Sequence, residues 1–228
     1  MCNEQLWSKA LLHLSALTGH AYEFVHVKIP QNKDFNAISE FLNDYFNEEQ
    51  VCIIGFSLGG YIAAHFAVTF PHRVSKFFVI SNSGCALYPK EEQQRQQIVE
   101  FVSRYGYQGM SKARAEQLLD SKNTDQQVLA RLTTTMLNMD AELGEAEFIS
   151  QMRWTSERAD LFEPLVRLKI PSVFYYSEAD LLVNSLWLDK LQLNNEHCTM
   201  ICTNGASHML PLEKSEELAE HIHVWLKL

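Results

Sequence analysis

Gly55-Phe56-Ser57-Leu58-Gly59 stands between a short apolar run and a stretch with the composition of a helix. The apolar run, residues 51–54, is typical of a strand that is buried on both faces. Residues 60–68 carry small side chains on one side, as a helix packed closely on a sheet requires. A strand, a tight turn and a helix in this order present the side chain of the turn residue for attack. The pattern therefore predicts that Ser57 is a nucleophile rather than part of a structural turn.

The glycines and the predicted helix both favour this interpretation of Ser57. Glycine allows the chain to turn sharply and leaves the approach to the serine hydroxyl open. A helix that begins directly after Ser57 places the positive end of its dipole where negative charge develops during attack on a carbonyl.

A serine hydroxyl is a poor nucleophile by itself, so a base and an orienting acid are expected further along the chain. After a turn of this kind, the expected order is serine, acid and histidine, each at the carboxyl end of a strand. A β-rich run over residues 171–177 leads into Glu178-Ala179-Asp180, and a second over residues 199–203 leads into His208. Ser57, Asp180 and His208 are therefore the predicted triad. Glu178 ends the same run as Asp180 and is the alternative acid.

His208 differs from the other members of the set of nine histidines. His65 and His72 fall within and after the predicted helix that follows Ser57, and His221 and His223 fall in an amphipathic terminal segment. These positions are typical of surface or packing residues. His208 instead follows a predicted strand in a glycine-containing loop, which favours a role as general base.

On these residues the chain resembles the α/β-hydrolase superfamily, in particular small bacterial members with a helical cap. The resemblance covers nearly all of the 228 residues. It rests on the turn at residues 55–59, on residues 70–74 before the next strand, on residues 177–180, and on residues 205–208 before a final helix. It implies a nucleophile, an acid and a base at the three positions named above. It also implies that the backbone N–H of Leu58 donates to the oxyanion.

The order of elements predicts an α/β fold with a mostly parallel sheet and helices on both faces. Further strands are expected at Phe24–Ile29 and at residues 77–80. From residue 89 to about residue 158 the pattern is helical only, and three or four helices are expected at residues 89–105, 111–119, 125–138 and 142–154. We therefore expect a hydrolase core at residues 1–88 and 159–228, interrupted by a helical cap at residues 89–158.

The resemblance also implies a strand that is not found upstream of Met1. Superfamily members open with an apolar strand and a glycine-containing loop, which supplies a second oxyanion N–H. That strand would lie between Phe24–Ile29 and residues 51–54, and each buried backbone group left unpaired there would cost about 1–3 kcal/mol. We therefore expect that the sequence begins too late, or that the sheet closes differently, for example with a strand from a partner.

Composition restricts the classes of function. A net charge of −9, without clusters of lysine and arginine, argues against nucleic acid or an anionic membrane as a partner. The five cysteines are scattered without metal-ligand spacing, so we expect no metal and a reducing, cytoplasmic location. Cys52 and Cys202 are expected in core strands as small apolar residues. Neither a secretory leader nor a long apolar span is recognisable.

We expect a serine hydrolase that cleaves a carboxylic ester or thioester with a small apolar acyl or aryl group and needs no cofactor. Phe56, Met136 and Trp154 are candidate substrate-binding residues, although cap methionines and aromatics more often pack helix against sheet. A carbon–carbon hydrolase or lyase, like the small synthase of menaquinone biosynthesis that eliminates pyruvate, would use the same triad. A binding protein with an impaired site is the third alternative. The oligomeric state is not predicted.

Overall fold

The computed structural model of the chain describes residues 1–227. Four parallel strands form one sheet, in which they lie in the order of the chain. They are β1 (Val51–Phe56), β2 (Val74–Ile80), β3 (Ser172–Ser177) and β4 (Cys198–Thr203). Helical crossovers join successive strands, as parallel pairing requires. The predicted α/β class is confirmed.

Two 3-10 helices and ten α-helices accompany the sheet within the described residues. The 3-10 helices are Glu4–Trp7 and Pro71–Arg73, and the α-helices are α1 (Ser8–Thr18), α2 (Phe35–Tyr45), α3 (Leu58–Thr69), α4 (Pro89–Tyr105), α5 (Lys112–Gln117), α6 (Gln126–Trp154), α7 (Phe162–Arg167), α8 (Ser185–Asn194), α9 (Leu210–Glu213) and α10 (Ser215–Lys227).

The two faces of the sheet are covered by different sets of helices. Along β2, Phe77 and Val79 lie in one apolar core with residues of α2, α3, α7 and α8. Phe78 and Ile80 lie in a second core with residues of α1 and α10. Successive side chains of a strand point to opposite faces. The apolar stretch at residues 77–80 of β2 is therefore covered on both sides, as the predicted doubly covered sheet requires.

The segment that we expect to be a cap contains only helices, α4, α5 and α6, between β2 and β3. The helices predicted at residues 125–138 and 142–154 form one long helix, α6, with a kink. The kink lies at Gly144, whose φ of 71° falls in the left-handed region that favours glycine. A third apolar core joins α5 and α6 to α9, with Leu132 and Met136 of α6 in the same core as Leu212.

Two expectations about the sheet are wrong. Phe24–Ile29 does not form a strand, although Val27 and Ile29 still pack against the core of α2 and α3. Within the described residues β1 pairs only with β2, so residues 51–54 lie at an edge and are not buried on both faces. Because β1 and β4 are both edge strands, Cys52 and Cys202 are exposed, where the sequence suggested core positions.

Candidate active site

Ser57 occupies the turn between β1 and α3 in a backbone conformation that few residues adopt. Its φ is 51° and its ψ is −115°, and its N–H donates to the carbonyl of Ile80 at 2.8 Å. Such a conformation costs about 1–3 kcal/mol and persists only where the surroundings enforce it. Gly55 explains part of this enforcement, because a Cβ atom there would overlap the backbone carbonyl of Gly59.

Gly55→Ala is therefore expected to destabilise the protein by about 1–3 kcal/mol or more, because the added methyl forces the turn at Ser57 apart. Thermal unfolding followed by circular dichroism measures the effect. Gly59→Ala is the matched control, since a Cβ atom there would meet no heavy atom within 4 Å. Equal melting temperatures for the two variants would contradict this account of the turn.

The structure brings Ser57, His208 and Asp180 together in one hydrogen-bonded row. Nε2 of His208 lies 3.0 Å from Oγ of Ser57, and Nδ1 lies 2.8 Å from Oδ2 of Asp180. An ionised carboxylate can only accept, so Nδ1–H donates to Asp180 and Nε2 is left to accept from the Ser57 hydroxyl. His208 and Asp180 are both buried, each residue at 6% exposure. The arrangement is suited to proton transfer away from the Ser57 hydroxyl.

Glu178, the alternative acid, lies outside this row. Its side chain is exposed, and Oε1 accepts a hydrogen bond from the N–H of Gly205 at 3.3 Å. Asp180, by contrast, uses its second oxygen to accept from the N–H of Leu182 at 2.9 Å. The two carboxylates therefore have different positions in the structure, one beside the histidine and one on the outer side of its loop.

Two buried serine hydroxyls, not singled out by the sequence, hold the histidine loop against the sheet. Ser177 at the end of β3 donates to the carbonyl of Ser207 at 2.6 Å. Ser81 directly after β2 donates to the carbonyl of His208 at 2.8 Å. A small hydroxyl residue at the carboxyl end of a buried strand is the sequence signal that could have found them, since such a group needs a hydrogen-bond partner.

The first N–H groups of α3 differ in whether they have a hydrogen-bond acceptor. The carbonyl of Ser57 accepts from Gly60 and Tyr61, whereas in the part of the chain that the structure describes the N–H of Leu58 has no acceptor. Free N–H groups at a helix N-terminus favour negative charge. The N–H of Leu58 is therefore available to an oxyanion formed next to Ser57.

The three candidate substrate-binding residues have different surroundings. The ring of Phe56 lies 5.3 Å from that of His208 and borders the triad. Met136 is 1% exposed and packs with Met209 and Leu212, where it joins α6 to the histidine loop. Trp154 is 42% exposed at the end of α6, and among residues 1–227 neither a side-chain hydrogen bond nor a ring contact joins it to Ser57, His208 or Asp180. Of the three, only Phe56 borders the triad directly.

Tyr61, one turn after Ser57, ties α3 to the chain that leaves α6. Its hydroxyl donates to the carbonyl of Ala159 at 2.8 Å, and burial raises its pKa to about 12, which keeps that proton in place. The guanidinium of Arg158 lies 5.5 Å above the same ring. Burial, followed by repulsion from Arg95, lowers the pKa of Arg158 to about 10, so the side chain remains charged at neutral pH.

Residues 1–227 contain no group of three or more metal-ligating side chains placed to hold a metal ion. None of the helices among them is long and apolar enough to span a bilayer. The cytoplasmic location stays a prediction.

A parallel sheet covered on both faces, with a serine in a strained turn between strand and helix, defines the class of fold. A family model described as "alpha/beta hydrolase fold" matches residues 17–214. The chain therefore belongs to the α/β hydrolase fold family.

Solved structures agree on the fold at low sequence identity. An esterase from Thermogutta terrifontis is 16% identical with a TM-score of 0.77, and the match covers 99% of this chain and 86% of that one. MenH from S. aureus is 14% identical with a TM-score of 0.72, over 96% and 89% of the two chains. A bromoperoxidase from Bacillus anthracis is 12% identical with a TM-score of 0.75, over 100% and 88%. No curated protein matches the sequence.

Proposed function

We propose that the protein is a serine hydrolase that cleaves a carboxylic ester or thioester through an acyl-enzyme on Ser57. The observation that supports this most directly is the row of hydrogen bonds from Ser57 through His208 to Asp180. A serine hydroxyl becomes an effective nucleophile when an adjacent base accepts its proton and a third group orients that base.

In the proposed first step, the Ser57 hydroxyl attacks the carbonyl carbon while its proton passes to Nε2 of His208. Asp180 keeps the Nδ1–H tautomer in place and stabilises the imidazolium. The N–H of Leu58 donates to the oxyanion of the tetrahedral intermediate. His208 then protonates the departing alcohol or thiol, which leaves the acyl group on Ser57. Water attacks this acyl group in the second step, with the same proton transfers, and releases the acid.

The proposal specifies the acyl group of the substrate less closely than it specifies the reaction. Phe56 places an aromatic ring 5.3 Å from that of His208, and Leu58, next to Ser57 in the chain, is apolar and half-buried. Apolar walls with few polar groups favour small acyl or aryl substituents. We therefore expect acetate and butyrate esters to be better substrates than esters with charged acyl groups.

The test combines turnover with covalent labelling. The protein is incubated with p-nitrophenyl acetate and p-nitrophenyl butyrate, and separately with a fluorophosphonate probe. We expect p-nitrophenol release and a single labelled peptide that contains Ser57, since only an activated serine reacts with the probe. A folded chain that releases no p-nitrophenol and leaves Ser57 unlabelled would refute the proposal and favour a binding protein with an impaired site.

A carbon–carbon hydrolase or lyase is the second candidate, because the same triad can move protons without forming an acyl-enzyme. MenH from S. aureus and a meta-cleavage product hydrolase are among the similar structures, although at this identity they support only a shared fold. A screen that sets p-nitrophenyl esters against carbon–carbon substrates separates the two candidates. Faster turnover of the carbon–carbon substrates would favour the second one.

A further inference from the structure

The backbone of His208 is bonded to the cap as well as to the core. Its N–H donates to the carbonyl of Leu118 at 2.9 Å, and the N–H of Met209 donates to the same carbonyl at 3.3 Å. On the opposite side, the carbonyl of His208 accepts from the hydroxyl of Ser81. One of the two bonds that fix the His208 backbone therefore comes from the segment between α5 and α6.

We call residues 118–124 the cap strap. Leu118, at one end of the strap, accepts the two bonds just described, and the rest of the strap is bound by Glu213 of α9. The carboxylate of Glu213 accepts from the N–H of Asp120, with oxygens at 3.1 and 3.3 Å. It also accepts from the hydroxyl of Thr124 at 2.9 Å. Bonds from an ionised carboxylate are stronger than those between neutral groups. The strap and the stretch from His208 to Glu213 thus form a closed ring that is hydrogen-bonded at both ends.

Packing holds the same two segments together. Leu119 is 3% exposed and lies in one apolar core with Met209 and Leu212. The carboxylate of Asp120 rests against Gly205, where a Cβ atom would overlap it and where φ is +98°. The strap therefore covers the histidine loop from its glycine to the start of α9, and a displacement of the strap would be transmitted to that loop.

We propose that Glu213 is a positioning residue, which acts through the cap strap to hold His208 in line with Ser57. This inference rests on the proposed function, in which His208 is the base. Without the carboxylate, Asp120 and Thr124 lose their acceptor, the Leu118 carbonyl is released from the N–H of His208, and the imidazole loses its alignment. According to this proposal, the cap influences the rate of proton transfer from Ser57 to His208, in addition to any effect that it has on substrate access.

The experiment compares Glu213→Ala and Glu213→Gln with the wild-type chain. A misplacement of a catalytic group by about 1 Å can cost on the order of 10²-fold in rate, so we expect kcat of Glu213→Ala to fall by about 10- to 100-fold with KM nearly unchanged. Glu213→Gln retains one acceptor oxygen and should recover most of the loss. Glu216→Ala is the matched control, because Glu216 is exposed at the start of α10 and takes no part in the strap.

Hydrogen exchange supplies a readout that does not depend on turnover. We expect the amides of His208 and Met209 to exchange faster in Glu213→Ala than in the wild-type chain, and to recover in Glu213→Gln. A folded Glu213→Ala variant with wild-type kcat would overturn the inference. A loss of kcat without faster exchange of the His208 amide would overturn it equally, because the effect would then bypass the strap. A wild-type chain without ester turnover would instead refute the proposed function, while the exchange arm still reports on the strap.

Discussion

Ser57→Ala is expected to lower kcat for p-nitrophenyl acetate by about 10⁴-fold or more, since removal of the nucleophile leaves only binding and oxyanion stabilisation. His208→Ala should cause a loss of similar size. The two residues act as one unit, joined at 3.0 Å between Nε2 and Oγ. The double variant should therefore be little worse than either single one. Steady-state kinetics on the four proteins measures this non-additivity.

Ser103→Ala is the matched control for Ser57→Ala, because Ser103 is exposed on α4 and far from the predicted triad in the chain. It should retain the wild-type rate. Circular dichroism should show that Ser57→Ala keeps its fold, since the methyl group fits where the hydroxymethyl group lay. If Ser57→Ala turned over esters at the wild-type rate, Ser57 would not be the nucleophile. A double variant far slower than both single variants would show that the two residues act independently.

The sequence predicted the parts of the fold that depend on local periodicity. The bounds of α4 agree with residues 89–105, the first of the helices predicted for the cap. The three residues of the predicted triad, which the structure brings together, were singled out because each follows a predicted strand. Parallel strands end at the same edge of a sheet, so residues distant in the chain converge there.

The sequence does not show which segments become neighbours in the folded structure. Phe24–Ile29 has the composition of a strand, yet a strand exists only where another strand pairs with it. The exposure of Cys52 follows from the position of β1 at an edge, which its apolar neighbours do not reveal. The bond from the N–H of His208 to the carbonyl of Leu118 is equally hidden, because every residue carries a backbone carbonyl and residue type does not show which one accepts.

The second large effect on kcat is expected from replacing the carboxylate that orients His208. Asp180→Asn is expected to reduce kcat by about 10³- to 10⁴-fold, because an amide can offer its NH₂ group to Nδ1 and so favour the wrong imidazole tautomer. Glu178→Gln is the matched control: it makes the same chemical change two residues away, in a side chain that is exposed and accepts a hydrogen bond from the N–H of Gly205. Its kcat should stay within about twofold of the wild-type value, as is usual for surface substitutions.

The pair of variants decides which acid orients His208. Both change a carboxylate to an amide with little change in size, so a general loss of charge near the loop would affect them alike. A large loss in Asp180→Asn alone follows from the 2.8 Å bond between Oδ2 and Nδ1 of His208. The reverse result, a large loss in Glu178→Gln alone, would mean that the loop rearranges in solution and that Glu178 replaces Asp180. Equal losses of kcat in the two variants would indicate that the combined electric field of the two carboxylates matters, rather than one carboxylate that fixes the imidazole tautomer.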